Sequence, residues 1–462
     1  MKRIVAILFL FTFITSCDNS DDASAVSPIK GDVTMGVWIG GNVTPQVSIY
    51  YPNWKNNVDV NGFVAPDSCQ YFRQSTTPCT TAEPISKITL AGSLTGVELK
   101  KTDANLFQSF ITAGLQATTG PSQTGAERVR NGPAALGTTM AYQKAVVFPD
   151  PDDSNADAIW LIGGVSGTFN HSISYSKDGL TWTDVVVPTA DFTNRHGHQV
   201  VTMVDPENNK NSIWVIAGKD QYSTMNDIWK SSDGITWSQV IPTTDVFGPR
   251  YGHSVTVFPD PNNKSKPTLW VVGGYNGTSL QTDVWKSADG ESWTKVTTAG
   301  AQIDNAYYSE LVVNNDKSGK PAMFLVGGNI EDVVRKSNDG ITWTSVATGE
   351  RFSAREAHSC FVLNGKIWLI GGFSNYFQKD IWTSSDGETW TQITNDTGAS
   401  ITARAFHSAV VMKDKSNNNS DTMWIMGGTG SKVENATEND CWKSTDGKIF
   451  RKGIRFSFSF DQ

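Results

Sequence analysis

Charge is scarce in this chain. Asp, Glu, Lys and Arg make up 18% of its 462 residues, and the formal net charge is −8. No basic stripe is available to neutralise a phosphate backbone, which excludes nucleic acid as a partner. Past the N-terminus no run of 18 apolar residues occurs, too little for a spanning helix. Cysteine numbers five and histidine six, with no Cys-x-x-Cys, so the usual zinc and redox motifs are missing and neither metal nor cofactor is expected. What abounds is glycine (41), tryptophan (16) and phenylalanine (22), the composition of an all-β chain punctuated by turns.

The ends of the chain differ in kind. Lys2 and Arg3 precede an apolar run of 11 residues, Ile4 to Ile14, which is too short to span a bilayer and suits a signal peptide. Ile14-Thr15-Ser16-Cys17 resembles the lipobox of bacterial lipoproteins. The resemblance implies that residues 1–17 are a lipoprotein signal peptide with its lipobox, cleaved before Cys17, which is acylated and becomes the mature N-terminus, the chain's lipidation site and only membrane attachment. A plain secretory signal is the alternative. Asp18-Asn19-Ser20-Asp21-Asp22 opens a polar tether, residues 18–29, and resembles the acidic tag that sends some lipoproteins to the outer face of the outer membrane. An outer-membrane lipoprotein exposed on the cell surface is therefore expected. A periplasm-facing one is the alternative, because an aspartate after the lipidated cysteine retains lipoproteins at the inner membrane in other bacteria. Residues 30–125 alternate weakly and carry Val and Thr, reading as a small β-rich domain with one short helix over Asp103 to Leu115; residues 126–137 read as a linker. Cys69 and Cys79 lie ten residues apart, and in an oxidising envelope a local disulfide is expected. Cys360 and Cys441 read as free, buried residues of repeat strands.

Residues 138–462 repeat six times. One signature, Ser-x-Asp-Gly-x-x-aromatic, ends at Trp182, Trp237, Trp293, Trp343, Trp390 and Phe450, at steps of 47 to 60 residues. Asp-Gly reads as a two-residue hairpin turn with positive φ angles, and the aromatic as a wedge between neighbouring sheets. A second signature is an apolar run ending in two glycines: Gly163-Gly164, Ala217-Gly218, Gly273-Gly274, Gly327-Gly328, Gly371-Gly372 and Gly427-Gly428. Such runs suit strands buried on both faces. A third, Arg-x-x-His, opens four units at Arg195, Arg250, Arg355 and Arg404; Met140-x-x-Gln143 and Asn305-x-x-Tyr308 align with it in the other two. Asp227, Asp283, Asp380 and Asp440 each begin an Asp-x-Trp.

These signatures, in this order, resemble kelch repeats of the galactose oxidase-like superfamily; the Asp-Gly segment is also similar to the structural Asp-box of sialidase propellers. The resemblance implies an all-β fold: a six-bladed kelch-type β-propeller preceded by the small β-rich N-terminal domain. Either Phe456 to Phe460 or the stretch around Val129 is expected to complete the last blade.

Function is less legible. The four repeat arginines are expected near one rim of the central channel, where converging guanidinium groups suit anionic ligands. Loops after the glycines add Lys219, Tyr222, Tyr275, Tyr376 and Phe377, and aromatic faces beside polar groups stack sugar rings. These nine residues are the candidate ligand-binding rim. No catalytic residue is assigned. The copper chemistry of galactose oxidase is not expected, since no Tyr/His pattern stands beside Cys360 or Cys441. The loop Asp150 to Asp157 lacks a calcium-loop pattern and reads as solvated. The expected function is a surface-anchored, non-enzymatic binding module for a glycan or protein partner. The alternatives are a sugar epimerase or mutarotase similar to the kelch-type N-acetylneuraminate epimerases, and a structural spacer of an envelope complex.

Overall fold

Every secondary-structure element in the described part of the chain is a strand. The computed structural model describes residues 141–459, apart from 167, 170–172, 180–181, 186–193, 264–265, 347–348, 395–400, 415–418, 431–439 and 449. Before them it describes four strands: Asp32–Ile39, Gln46–Tyr50, Ile88–Thr89 and Glu127–Arg130. Cys17, Cys69, Cys79 and the Asp103 to Leu115 segment lie outside the described residues. The chain divides into two units, Met1–Gly132 with Arg451–Gln462, and Pro133–Phe450.

In the first unit, Arg451–Ser459 pairs antiparallel with Asp32–Ile39, which pairs in turn with Gln46–Tyr50. Glu127–Arg130 also pairs with Arg451–Ser459. The two segments expected to complete the last blade thus pair with each other.

The second unit is the propeller. Its innermost strands are Lys144–Asp150, Gln199–Asp205, Ser254–Val257, Glu310–Asn315, Ser359–Leu363 and Ser408–Asp414. Each packs beside the next, and the sixth returns to the first, so the ring closes. Each inner strand pairs with the apolar strand that carries the glycine pair, and that strand pairs with a third. Blades one to five add a fourth: Thr183–Val185, Ser238–Val240, Trp293–Val296, Thr342–Ser345 and Thr391–Gln392.

The core lies between blades rather than within them. One buried cluster joins Phe148, Trp160 and Ile162 of blade one to Ile213, Val215, Trp229 and Trp237 of blade two. A full large side chain buried in this way stabilises by roughly 1.5–3 kcal/mol. The most regular inter-blade contact involves the Asp-Gly segment. Trp160 lies beneath Gly234 of the next blade, so tightly that a Cβ there would sit 2.3 Å from the indole. The same contact joins Trp214 to Gly290, Trp270 to Gly340, Phe324 to Gly387 and Trp368 to Gly447, and Trp424 of blade six meets Gly179 of blade one.

The Asp-Gly hairpin differs from the two-residue turn expected of it. Only the glycine is left-handed (Gly234, φ 77°), and six residues separate Ser231 from Ser238. Ser231 Oγ accepts the Gly234 N–H at 2.8 Å, and Asp233 Oδ1 accepts the N–H groups of Ile235 and Thr236 at 2.8 and 2.7 Å. The side chains build the bend, so the aspartate backbone need not adopt positive φ.

Candidate binding site at the axial mouth

The repeat arginines are not in the mouth. Arg195, Arg250, Arg355 and Arg404 are completely buried. Each guanidinium forks onto the aspartate of the Asp-x-Trp in its own blade; Arg355 donates to Asp380 Oδ1 at 2.6 Å and to Oδ2 at 2.8 Å. Its Nη1 also donates to the Gly371 carbonyl at 2.9 Å. Arg195 meets Asp227, Arg250 meets Asp283 and Arg404 meets Asp440 in the same way. Trp382 Nε1 donates to that same Asp380 at 2.7 Å, which explains why Asp and Trp recur two residues apart. Burial raises the Asp380 carboxyl, but the Arg355 hydrogen bonds and charge outweigh it and hold the group below the usual carboxylate range. The rim role expected of the four arginines is therefore corrected: they clamp the double-glycine bend to the third strand.

Blade four lacks this clamp, and the register shows why. The Gly274 N–H donates to the Ala306 carbonyl, as Gly218 donates to Arg250 and Gly372 to Arg404. Ala306, not Asn305, fills the arginine position, and Ser309, not Tyr308, the histidine position. The cation moves to Arg335, which pairs with Glu331 and Asp304, both at 3.1 Å.

The repeat histidines are also interior. His198 Nε2 lies 3.1 Å from the Ile162 carbonyl of the preceding blade, and Gln143 Nε2 donates to the Met426 carbonyl at 3.0 Å from the equivalent position. Burial first, and then the neighbouring arginine, push the pKa of His198, His253, His358 and His407 down, to about 3 for His358.

The residue just before each of these positions forms a collar around the axis. Tyr142, Gly197, Gly252, Tyr308, Ala357 and Phe406 all have left-handed backbones, with φ between 48° and 63°. Their peptides are linked head to tail: Gly252 N–H to Gly197, Tyr308 to Gly252, Ala357 to Tyr308, Phe406 to Ala357 and Tyr142 to Phe406, at 2.7 to 2.9 Å. Glycine takes this conformation freely; a residue with a side chain pays about 1–2 kcal/mol. Tyr142, Tyr308 and Phe406 bear that cost and place aromatic rings at the axis.

Those rings belong to a continuous cluster at the mouth. Tyr142 stacks on Phe406 at 3.9 Å between centroids, and Tyr308 meets Phe406 edge-on at 5.0 Å. Tyr307 touches Tyr308 at 4.5 Å and Tyr251 at 5.7 Å, and Tyr275 lies 5.7 Å from both Tyr251 and Tyr307. His196 closes the circuit against Tyr142 at 5.2 Å. All seven are half-buried. Lys219 Nζ sits 4.7 Å from the Tyr251 centroid, a cation–π distance. Burial and Lys219 lower His196 to about 4, and burial raises Glu356.

Below the collar an ion pair spans the channel. Lys144 Nζ and Glu310 Oε1 meet at 2.7 Å. Around them Gln143, Gln199, Ser309, His358 and His407 help line a cavity of about 360 Å³, open mouth included.

Of the nine rim candidates, the structure brings Lys219 and Tyr275 into this cluster. Tyr222 and Tyr376 are exposed on their loops, 86% and 65%, and Phe377 packs on Phe373 at 5.2 Å. Sequence reasoning missed Tyr142, His196, Tyr251, Tyr307, Phe406 and Glu356. The signal was present in the two variable positions of Arg-x-x-His, which were passed over as spacers. Among the described residues no cluster of His, Cys, Asp and Glu suits a metal ion.

Residues 236–428 match the family model described as the KLHDC2/KLHL20/DRC7 Kelch-repeats domain. The chain carries a kelch-repeat domain. No curated protein matches the chain. The match begins at the end of blade two and stops at the last glycine pair, so it takes in blades three, four and five.

Proposed function

We propose that this kelch domain is a non-enzymatic binding module whose axial mouth receives a glycan or protein partner, and that Cys17 anchors it to the cell envelope, facing outward. The observation that carries the binding reading is the aromatic cluster at the collar. Tyr142, Tyr308 and Phe406 occupy left-handed positions that blades two and three fill with glycine, and backbone strain of this kind concentrates at ligand sites. Half-buried aromatic rings with polar tips supply stacking area and hydroxyls at low entropic cost. Kelch domains typically bind protein partners, which agrees with this reading. The anchor rests on the signal-like N-terminus and Cys17 alone.

The test is a paired screen of the purified chain and its Tyr307→Leu and Tyr251→Leu variants on glycan and peptide arrays. A partner retained by wild type and lost by both variants, with unchanged melting, supports the mouth. Partners bound equally by all three place recognition elsewhere. Cys17→Ala is expected to release the protein from the membrane fraction, and unchanged partition removes the anchor.

A further inference from the structure

The aromatic mouth has two electrically different sides. On blade two, Lys219 already rests on the face of Tyr251 and lowers the neighbouring His196. On blade five stands Glu356, half-buried, directly after Arg355 in the chain. Its backbone is tied to Phe373 by paired hydrogen bonds at 2.9 and 2.8 Å. Its carboxylate, among the described residues, makes no hydrogen bond and no ion pair. Burial first raises the phenols of Tyr142 and Tyr307, and the Glu356 charge adds to it, at Tyr307 after the effect of Tyr251. A carboxylate half withdrawn from water, with no partner among the described residues, is held at a cost. An incoming cation removes that cost and gains the negative faces of the rings.

We propose that the Glu356 side of the mouth is a socket for a basic side chain, lysine or arginine, of a protein partner. The proposal rests on the reading of the mouth as a partner-binding site and narrows it. Three observations converge. Glu356 directly precedes Ala357, the collar residue whose backbone is bonded to both Tyr308 and Phe406, and the rings of Tyr142, Phe406, Tyr308 and Tyr307 run on from there in contact. The protein itself fills one cation–π position in the same cluster with Lys219, showing that these rings accept an ammonium. The opposite side, beside Glu356, shows no cation paired with that carboxylate among the described residues. A neutral sugar would stack on the rings and give Glu356 hydroxyl hydrogen bonds but leave its charge uncompensated, and an acidic one would face it unfavourably.

The experiment titrates the purified full chain with three blocked amino-acid amides: acetyl-lysine-amide, acetyl-arginine-amide and the uncharged near-isostere acetyl-norleucine-amide, followed by tyrosine fluorescence and by NMR shifts. The lysine and arginine probes are expected to bind at least tenfold more tightly than norleucine. Glu356→Gln is expected to erase that preference while leaving the melting temperature and the norleucine shifts unchanged. Tyr307→Leu is expected to weaken all three probes. Equal binding of charged and uncharged probes, or a charge preference that survives Glu356→Gln, overturns the socket while the mouth remains a binding site. Absence of perturbation at the mouth by any probe overturns the socket too. In that case the paired array screen separately decides whether the mouth binds anything.

Discussion

Lys144 and Glu310 reach across the propeller axis to form an ion pair at 2.7 Å, from inner strands of blades one and four that face each other through the ring. Their positions are equivalent within the repeat. In four other blades the same position bonds forward to the next blade: Gln199 to the His253 carbonyl, Ser254 to Ser309, Ser359 to His407 and Ser408 to Gln143, at 2.6 to 2.9 Å. The two blades that give up this link hold each other instead. An ion pair thus spans the channel beneath the mouth.

Because the pair is partly accessible, at 24% and 19%, its worth is modest. Lys144→Met is expected to cost about 1–2 kcal/mol, leaving Glu310 facing the axis alone. Lys144→Met with Glu310→Leu should recover most of that loss. A urea double-mutant cycle reads the coupling, and additive losses would show that the bar contributes nothing as a pair.

The arginine clamp predicts a different scale. Arg355→Ala strands the half-buried Asp380 and should cost about 3–5 kcal/mol. Arg355→Lys keeps the charge but loses the fork and the bond to Gly371, at a cost on the order of 2 kcal/mol. Equilibrium denaturation checks both. A wild-type melt for either would mean that the clamp is ornamental.

The Asp-Gly segment sets an order among three substitutions. Trp237→Ala removes a core wedge and should cost about 3–5 kcal/mol. Gly234→Ala forces a left-handed alanine against Trp160 and should cost at least about 2 kcal/mol. Asp233→Ala loses bonds from Ile235 and Thr236, about 1 kcal/mol net. Melting curves that place Asp233→Ala last but the other two beside wild type contradict the blade packing.

Acid should destabilise the propeller early. The unfolded chain protonates its histidines below pH 6.5, whereas buried His358 resists until about pH 3. Between those values the unfolded state holds the extra proton, so stability falls as pH falls, by roughly 1.4 kcal/mol per pH unit for each such histidine. His198, His253 and His407 act in the same direction. Glutamine is accepted at this position in blade one, as Gln143, so His358→Gln should fold and flatten the pH dependence between 6.5 and 4. An unchanged slope would show that His358 is protonated in the native state.

The repeat signatures make the fold readable in the sequence alone. A unit of Asp-Gly hairpin, apolar strand and double glycine cannot bury its two faces alone, and six copies specify a closed ring whatever their loops contain. The sequence also marked Arg195, Arg250, Arg355 and Arg404 as equivalent. Equivalence was not enough to place them, because an arginine aimed at solvent and one forked onto Asp380 have the same spacing. The partner sits 25 residues away in the chain.

Tertiary structure made the mouth. Tyr142, Tyr251, Tyr307 and Phe406 come from four blades and fill the variable positions of one repeat signature, which says nothing of where they point; only closure of the ring brings their rings within 4 to 6 Å. Left-handed backbone at the collar is likewise invisible where Tyr, Ala and Phe stand in for glycine. Lys144 and Glu310 are separated by 166 residues, and no local pattern pairs them. Strand pairing and periodic burial are local physics, repeated, and a chain displays them along its length. A site at the axis exists only after six units have met, since each contributes side chains to a space that none of them encloses.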